Sequence, residues 1–439
     1  MKRTFALLLL VLIGGASFAQ QINRAKLDSL FNNLDQHNLG MVSIAIKKDG
    51  RVVYQHSTGY AIMDSGKMIK ANVNTAYRLG SITKMFTAVM AFQLMDEKRL
   101  SINAPLSKFF HDLPNANRIT IRELMYHRSG LANFTSNDDF DEWKDKPHTH
   151  EQLLNFIKQQ KPDFDPNAKA DYNNSNYLLL GYIIEKITNK SYKEEVNKRI
   201  INKIGLAQTY YASTGGKLTE AASYKYFDGK WKADKAVELN NFSGAGAVIS
   251  TPSDMLKFIN ALFDGKLISK ESLARMTTMV DGYGMGIFPY EEGEHHGFGH
   301  NGKTEGFASS LQIYPDDKLS LAFCTNAEVY PKAQILDDVL KICFNMPCKI
   351  PTFQSITLSD SLLNKYPGTY KNAVNGITVL CTRDSNNLIF ETHGQKMVLD
   401  ALTNDTFYNK AYGFFFEFDN NGKTLYIEDV DDVYTLVKQ

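Results

Sequence analysis

The chain is poor in cysteine. Cys324, Cys343, Cys348 and Cys381 are the only four in 439 residues, and no Cys-x-x-Cys occurs. This excludes a disulfide scaffold and gives no support to a redox motif or a zinc ribbon. Cys343 and Cys348 are close enough to close a small loop, and the sequence leaves open whether they are joined or reduced. An excess of one charge sign is also missing. Lys+Arg is 49 and Asp+Glu is 48, a net charge of +1. That balance offers no bulk electrostatic footprint for nucleic acid or an anionic membrane. Internal repeats and low-complexity tracts are absent. The N-terminal apolar run, Phe5 to Ile13, is well short of the ~20 residues that span a bilayer. What is present is ordinary: 43% hydrophobic residues, 29 Gly and 12 Pro. Such a chain folds around a full-sized core, as two or three units of ~100–200 residues each.

The first residues read as an address. Lys2 and Arg3 precede the apolar run, and Ala16-Ser17-Phe18-Ala19 precedes Gln20. A charged start, a short apolar stretch and a small residue at the cut make a secretory signal over 1–19. An uncleaved anchor is the alternative. Gln20 stands where a lipid-modified chain would carry Cys. Cleavage removes two basic residues and leaves the remainder at −1. The expected location is periplasmic or secreted.

Beyond the signal, Leu27, Leu30, Phe31 and Leu34 fall on one helix face. Val42, Ile44 and Ile46 alternate, Asp49-Gly50 turns the chain, and Val52-Val53-Tyr54 returns as the second arm of a hairpin. A long helix is predicted from about Ser81 to Met95. The next 120 residues read mostly as helix, with capping boxes at Thr120…Glu123 and Ser191…Glu194. Thr251-Pro252 opens another helix. From about 283 the period becomes that of strands, with Phe307 to Tyr314 and Leu319 to Cys324 as an antiparallel pair. A helix near Ala333–Phe344 follows. Strands flanking a helix-rich middle imply a sheet with helices packed on it and a helical insertion. After about 355, strand-like runs recur at Ile377–Cys381, Leu388–Glu391, Met397–Leu402, Phe414–Phe418 and Leu425–Glu428. They predict a small antiparallel barrel or sandwich. The expected division is signal 1–19, body 20–345, linker 346–355 and β-rich tail 356–439.

Three stretches carry chemistry. In Gly80-Ser81-Ile82-Thr83-Lys84, positions 81 and 84 share a helix face, so the amine reaches the hydroxyl. A serine is a weak nucleophile until a base takes its proton. Burial and the helix dipole can lower a lysine pKa enough for that work. First-turn N–H groups then face an oxyanion at the attacked carbonyl. An N-capping serine followed by a solvated lysine explains the same letters. Asp171-Tyr172-Asn173-Asn174 opens a helix. A tyrosine beside ammonium groups loses its proton more easily and can act as a base, although a packed tyrosine with capping asparagines fits equally. Gly299-His300-Asn301-Gly302-Lys303 leads into a strand, where glycines admit a ligand close to backbone. His295, His296 and His300 raise a metal reading, which lacks a carboxylate or cysteine to complete the set.

In this order, the three stretches resemble the signature of the serine β-lactamase and penicillin-binding protein superfamily. The branch most similar holds class C β-lactamases, D-alanyl-D-alanine carboxypeptidases, D-aminopeptidases and esterases. Its pattern is Ser-x-x-Lys, Tyr-x-Asn, then Lys- or His-x-Gly. Leu124-Met125-Tyr126-His127-Arg128-Ser129-Gly130-Leu131 and Gly244-Ala245-Gly246 support the match, which covers roughly 25–345. The resemblance implies an α+β, β-lactamase/transpeptidase-like fold: an antiparallel sheet flanked by helices, plus a helical subdomain. The tail resembles a small lipocalin-like barrel. By the same resemblance, Ser81 is the acylated nucleophile, and Lys84 and Tyr172 share acid–base work. Asn174 orients Lys84 and the substrate, and His300 and Gly302 belong to the substrate-binding strand. The N–H groups of Ser81 and Lys303 form the oxyanion hole. Two positions depart from the usual pattern. Asn173 replaces the commoner serine, and His300 replaces the lysine that would pair with a substrate carboxylate. A histidine is mostly neutral at pH 7, which moves the expectation from β-lactams toward esters and peptides. The implied activity is that of an exported serine hydrolase acting through an acyl-enzyme, needing no cofactor or metal. Its partner is a small-molecule or peptide substrate rather than nucleic acid. A non-catalytic binding protein on the same fold is the competing reading.

Overall fold

A computed structural model describes residues 22–64, 66–137, 139–212, 220–428 and 433–439. The predicted signal, 1–19, lies outside the described residues.

Six antiparallel strands form the main sheet. In spatial order they are Phe288–Glu292, His295–Thr304, Phe307–Tyr314, Leu319–Glu328, Gly40–Lys48 and Arg51–Ser57. The strand Gly40–Lys48 shows why alternation alone misleads. Its apolar residues alternate, yet every residue from Gly40 to Ile46 is buried. It pairs with strands on both sides. The helices Arg24–Gln36 and Lys332–Cys343 cover one sheet face, and Pro252–Phe263 covers the other. A strand inside such a sandwich exposes neither face.

Between the first two strands and the last four runs the helical part. Both predicted capping boxes form, at Thr120/Glu123 and Ser191/Glu194. A third, Thr149/Gln152, opens the helix His150–Lys158. Pro252 starts its helix behind the cap Thr251. The helix Thr83–Asp96 is buried on all sides, from Thr83 through Leu94. It crosses the interior beneath the sheet, and its N-terminus emerges at the edge of the strand His295–Thr304.

The tail is a closed barrel of eight antiparallel strands between Gly368 and Lys438, each paired with its chain neighbour. The first and last close it through Tyr370 and Lys438. Five strands were visible in the sequence; Gly368–Lys371, Thr406–Asn409 and Val433–Lys438 are added. Its interior is filled by Tyr370, Leu388, Phe390, Phe407, Phe416 and Phe418, among others. This is a packed core rather than a ligand-holding cup. The barrel meets the body through Tyr330, Phe353 and Phe415, whose rings contact edge to face. Cys343 and Cys348 are free thiols. Among the described residues no helix is long and apolar enough to cross a membrane.

Candidate active site

The nucleophile turn is built by close backbone approach. Gly80 adopts φ +54°, and a Cβ there would lie 2.7 Å from the Lys303 carbonyl oxygen and 2.9 Å from its nitrogen. Across from it, a Cβ on Gly302 would lie 1.8 Å from the Leu79 carbonyl oxygen. Ser309 Oγ donates to that same carbonyl at 2.8 Å. Two glycines therefore let the strand His295–Thr304 touch the turn, and Ser81 and Lys303 line one cleft. A short 3₁₀ turn, Gly80–Ile82, carries Ser81 into the long helix.

Lys84 is wholly buried, at 0% exposure. Its Nζ lies 3.1 Å from Ser81 Oγ, 2.7 Å from Asn174 Oδ1 and 3.0 Å from the Ala245 carbonyl oxygen. Burial pushes its pKa well below the usual lysine value. Nζ donates to all three oxygens, Ser81 Oγ among them. Asn174 Oδ1 and Ala245 O can only accept, whereas the Ser81 hydroxyl can also donate. Loss of one ammonium proton would therefore leave the Nζ lone pair directed at Ser81 Oγ. Asn174 is itself fixed: its Nδ2 donates to Thr135 Oγ1 at 2.9 Å, which points Oδ1 at Lys84. Ala245 is brought in where Gly181 and Gly244 let two helices approach; a Cβ on Gly244 would meet the Tyr177 carbonyl oxygen at 2.7 Å.

Tyr172 lies under Lys84, whose Nζ is 4.8 Å from the ring centre. Its hydroxyl is buried without a hydrogen-bond partner. Burial raises its pKa, with only a partial opposing pull from Ser81. The easier proton loss expected from nearby ammonium groups therefore does not arise, because burial also disfavours charge on Lys84 and His300. Burial thus holds Tyr172 as a phenol and biases Lys84 toward its neutral form. His300 is 2% exposed, with Nδ1 against the Asn301 carbonyl. Burial first, then repulsion from Lys84, drops its pKa from 6.5 to about 3. Nδ1 must hold the proton to donate to that carbonyl, so Nε2 keeps a lone pair, and that atom is buried and unpartnered. A lone donor on Tyr172 and a lone acceptor on His300 thus sit on rings 6.2 Å apart.

Asn173 turns away from the cleft. It caps the helix Asn174–Thr188 by accepting from Ser175 N at 2.8 Å, and its Nδ2 donates to the Leu131 carbonyl. The substitution for serine is thus structural. His127 is a further residue of the site. Its carbonyl accepts from Asp171 N at 2.9 Å and its Nδ1 from Asn173 N at 3.0 Å. It grips the chain on both sides of Tyr172, and the two rings lie 4.6 Å apart. Its signal was there to read, since it falls inside the supporting stretch 124–131. Burial lowers its pKa well below 6.5, so it is neutral. The predicted set Ser81, Lys84, Tyr172, Asn174, His300, Gly302 and Lys303 converges on one place. His295 does not join it. It pairs with Asp317 at 2.8 Å and stacks on Phe344, and at ~3.3 Å per strand residue it lies about 16 Å from His300. Among the described residues no three His, Cys, Asp or Glu side chains converge to hold a metal. Above Ser81 opens a cleft of about 540 Å³, walled by Thr135, Phe140, Phe242, Asp234, Lys303 and Glu305 among others.

The model of the Beta-lactamase family matches residues 27–342. The chain belongs to the β-lactamase family. It is a serine hydrolase of that fold, with a closed eight-stranded barrel after it. The teichoic acid D-alanine hydrolase of Staphylococcus aureus is 29% identical over 340 residues, covering 73% of this chain and 82% of that protein. The structure of the D-amino acid amidase from Ochrobactrum anthropi SV3, complexed with L-phenylalanine amide, aligns with TM-score 0.66 and 27% identity. It covers 73% of this chain and 99% of its own. The octameric penicillin-binding protein homologue from Pyrococcus abyssi aligns over 95% of this chain and all of its own, with TM-score 0.68 and 22% identity. That last likeness is one of fold, and it runs on past the hydrolase body into the tail.

Proposed function

We propose that this protein hydrolyses esters or amides of D-amino acids through an acyl-enzyme at Ser81. The observation that carries the reading is the buried Lys84, whose Nζ lies 3.1 Å from Ser81 Oγ and whose pKa is lowered by burial. Lys84 takes the Ser81 proton as Oγ attacks the carbonyl carbon. The carbonyl oxygen becomes an oxyanion between the N–H groups of Ser81 and Lys303. Collapse breaks the bond to the leaving alcohol or amine, which takes a proton from Tyr172. Lys84 restores the Tyr172 proton, and the His300 lone pair holds the phenol in place. Water then enters, gives a proton to Lys84 and attacks the acyl carbon. The acid leaves and Ser81 Oγ recovers its proton.

The substrate class draws on the two relatives named above, whose names share an acyl group derived from a D-amino acid. The neutral His300 supports the choice, since it offers no fixed cation for a substrate carboxylate. We assign 20–345 to catalysis, 346–355 to a linker and 356–439 to the tail. We place the protein in the periplasm or outside the cell, on the signal pattern at 1–19. The test is labelling with a fluorophosphonate or a fluorescent penicillin. Wild type is expected to label and Ser81→Ala to stay blank; equal labelling of the two refutes the assignment.

A further inference from the structure

The wall of the cleft carries a carboxylate that the mechanism above does not use. Glu305 occupies the first position of the two-residue loop joining the strands His295–Thr304 and Phe307–Tyr314. Its φ is +45°, a left-handed conformation for which glycine is the usual occupant. Its side chain keeps only 2% exposure. Oε1 is fully engaged, accepting from Arg78 Nη1 at 2.6 Å and from Val237 N at 2.7 Å. Oε2 is buried without a hydrogen-bond partner, and the Thr304 hydroxyl beside the carboxylate favours its charged form. A second orphan lines the same cleft. Asp234 Oδ2 is also buried and unpartnered, while Oδ1 holds Lys225 at 3.2 Å and the Lys235 N–H at 2.9 Å. Ser223 ties the two together: its Oγ accepts from Gly306 N at 2.8 Å and its carbonyl from Asp234 N at 2.9 Å.

Charge points the same way as geometry. Arg78 is shared between Glu305 and Glu220, and burial raises the Glu305 pKa against the pull of Arg78, so a further cation at Oε2 would favour the ionised carboxylate. Lys225 is largely exposed and Lys235 is turned to Asp145. A buried carboxylate oxygen with no donor is costly to keep. Here it is kept on strained backbone, in the cleft wall, two residues from the Lys303 N–H.

We propose that Glu305 Oε2, in a cleft wall shared with Asp234, is the subsite for a substrate ammonium, so that the preferred acyl donor carries a free α-amino group. This rests on the acyl-enzyme reading above and adds the residue that selects the substrate. An ammonium donates to carboxylate oxygens and also supplies that cation.

The experiment compares D-alanine methyl ester with N-acetyl-D-alanine methyl ester on the full chain. Wild type should prefer the free amine, and Glu305→Gln should lower the ratio of the two kcat/KM values by about tenfold or more. Glutamine keeps the shape and an acceptor for Arg78 while removing the charge. A second measurement needs no variant: D-alaninol should inhibit wild type at lower concentration than 1,2-propanediol, which lacks the amine. An unchanged ratio in a folded Glu305→Gln, or equal inhibition by the two alcohols, overturns the subsite while leaving the acyl-enzyme standing. Failure of wild type to turn over either ester, or turnover that survives Ser81→Ala, overturns both.

Discussion

Substituting Gly302 by alanine tests whether the strand His295–Thr304 supplies an oxyanion donor. Gly302 does not need glycine for its backbone, because its φ is not in the left-handed region. The effect of alanine is therefore steric. The new Cβ would stand 1.8 Å from the Leu79 carbonyl oxygen and 2.6 Å from Ser309 Oγ, where real Cβ atoms essentially never come within 3.0 Å. Relief requires the strand and the nucleophile turn to part by more than an ångström. Neither side yields cheaply, since Leu79 O is bound by Ser309 Oγ and the strand is paired along its length. Lys303 follows Gly302 directly, so its N–H moves with the strand away from Ser81. A misplacement of ~1 Å costs about 10²-fold in rate, and outright loss of one oxyanion donor costs about 10²–10³. We expect kcat on D-alanine methyl ester, followed by acid release, to fall about 10²-fold with KM little changed. Overpacking should also lower stability by about 1–3 kcal/mol. Gly413→Ala separates the two effects. Its Cβ would meet Val329 at 2.8 Å at the barrel junction, so it should lose stability and keep kcat. If Gly302→Ala loses stability yet keeps kcat, the Lys303 N–H is not an oxyanion donor and the reasoning fails.

Two titrations follow from the buried groups. Burial holds Lys84 well below the usual lysine value, so kcat/KM should fall only on the acid side, as pH drops through that depressed pKa; a rate still climbing near pH ~10 would show an ordinary amine. His300 drops from 6.5 to about 3 on folding, so below 6.5 the unfolded chain binds a proton that the folded one refuses. Stability should therefore decline as pH falls from about 6.5 toward 3 and be flat in this term above 6.5. His127 acts with the same sign. Urea midpoints between about pH 4 and 8 should show a shallower decline in His300→Asn, with the share of His127 remaining; an unchanged slope would mean that His300 is not refused its proton.

The parts that read well from sequence were local ones. Ser81 and Lys84 are one turn apart, and a helix fixes that relation whatever else happens. The capping boxes at Thr120 and Ser191 likewise need only four consecutive residues. The ordered motifs supplied the rest of the predicted set. What stayed hidden depends on contacts distant in the chain. That Tyr172 stays a phenol follows from how deeply it and its neighbours Lys84 and His300 are buried, and burial is a property of packing. Glu305 looked like any loop glutamate until Arg78 and Val237, 227 and 68 residues away, were seen to claim one oxygen and leave the other. Of the barrel, Thr406–Asn409 and Gly368–Lys371 are four residues each, too short for alternation to stand out from the turns around them.

The closed barrel also bears on how the protein is made. Seven of its eight seams join strands adjacent in the chain, so most of it can zip up in order as it is synthesised. The eighth, Tyr370 with Lys438, waits for the strand that comes last. Phe415 lies on a strand two before it and reaches back to Tyr330 on the body and Phe353 on the linker. During translation the hydrolase body is thus complete while its aromatic flank is still bare. That interval is when a nascent chain is open to unwanted association, and sealing the barrel brings it to an end.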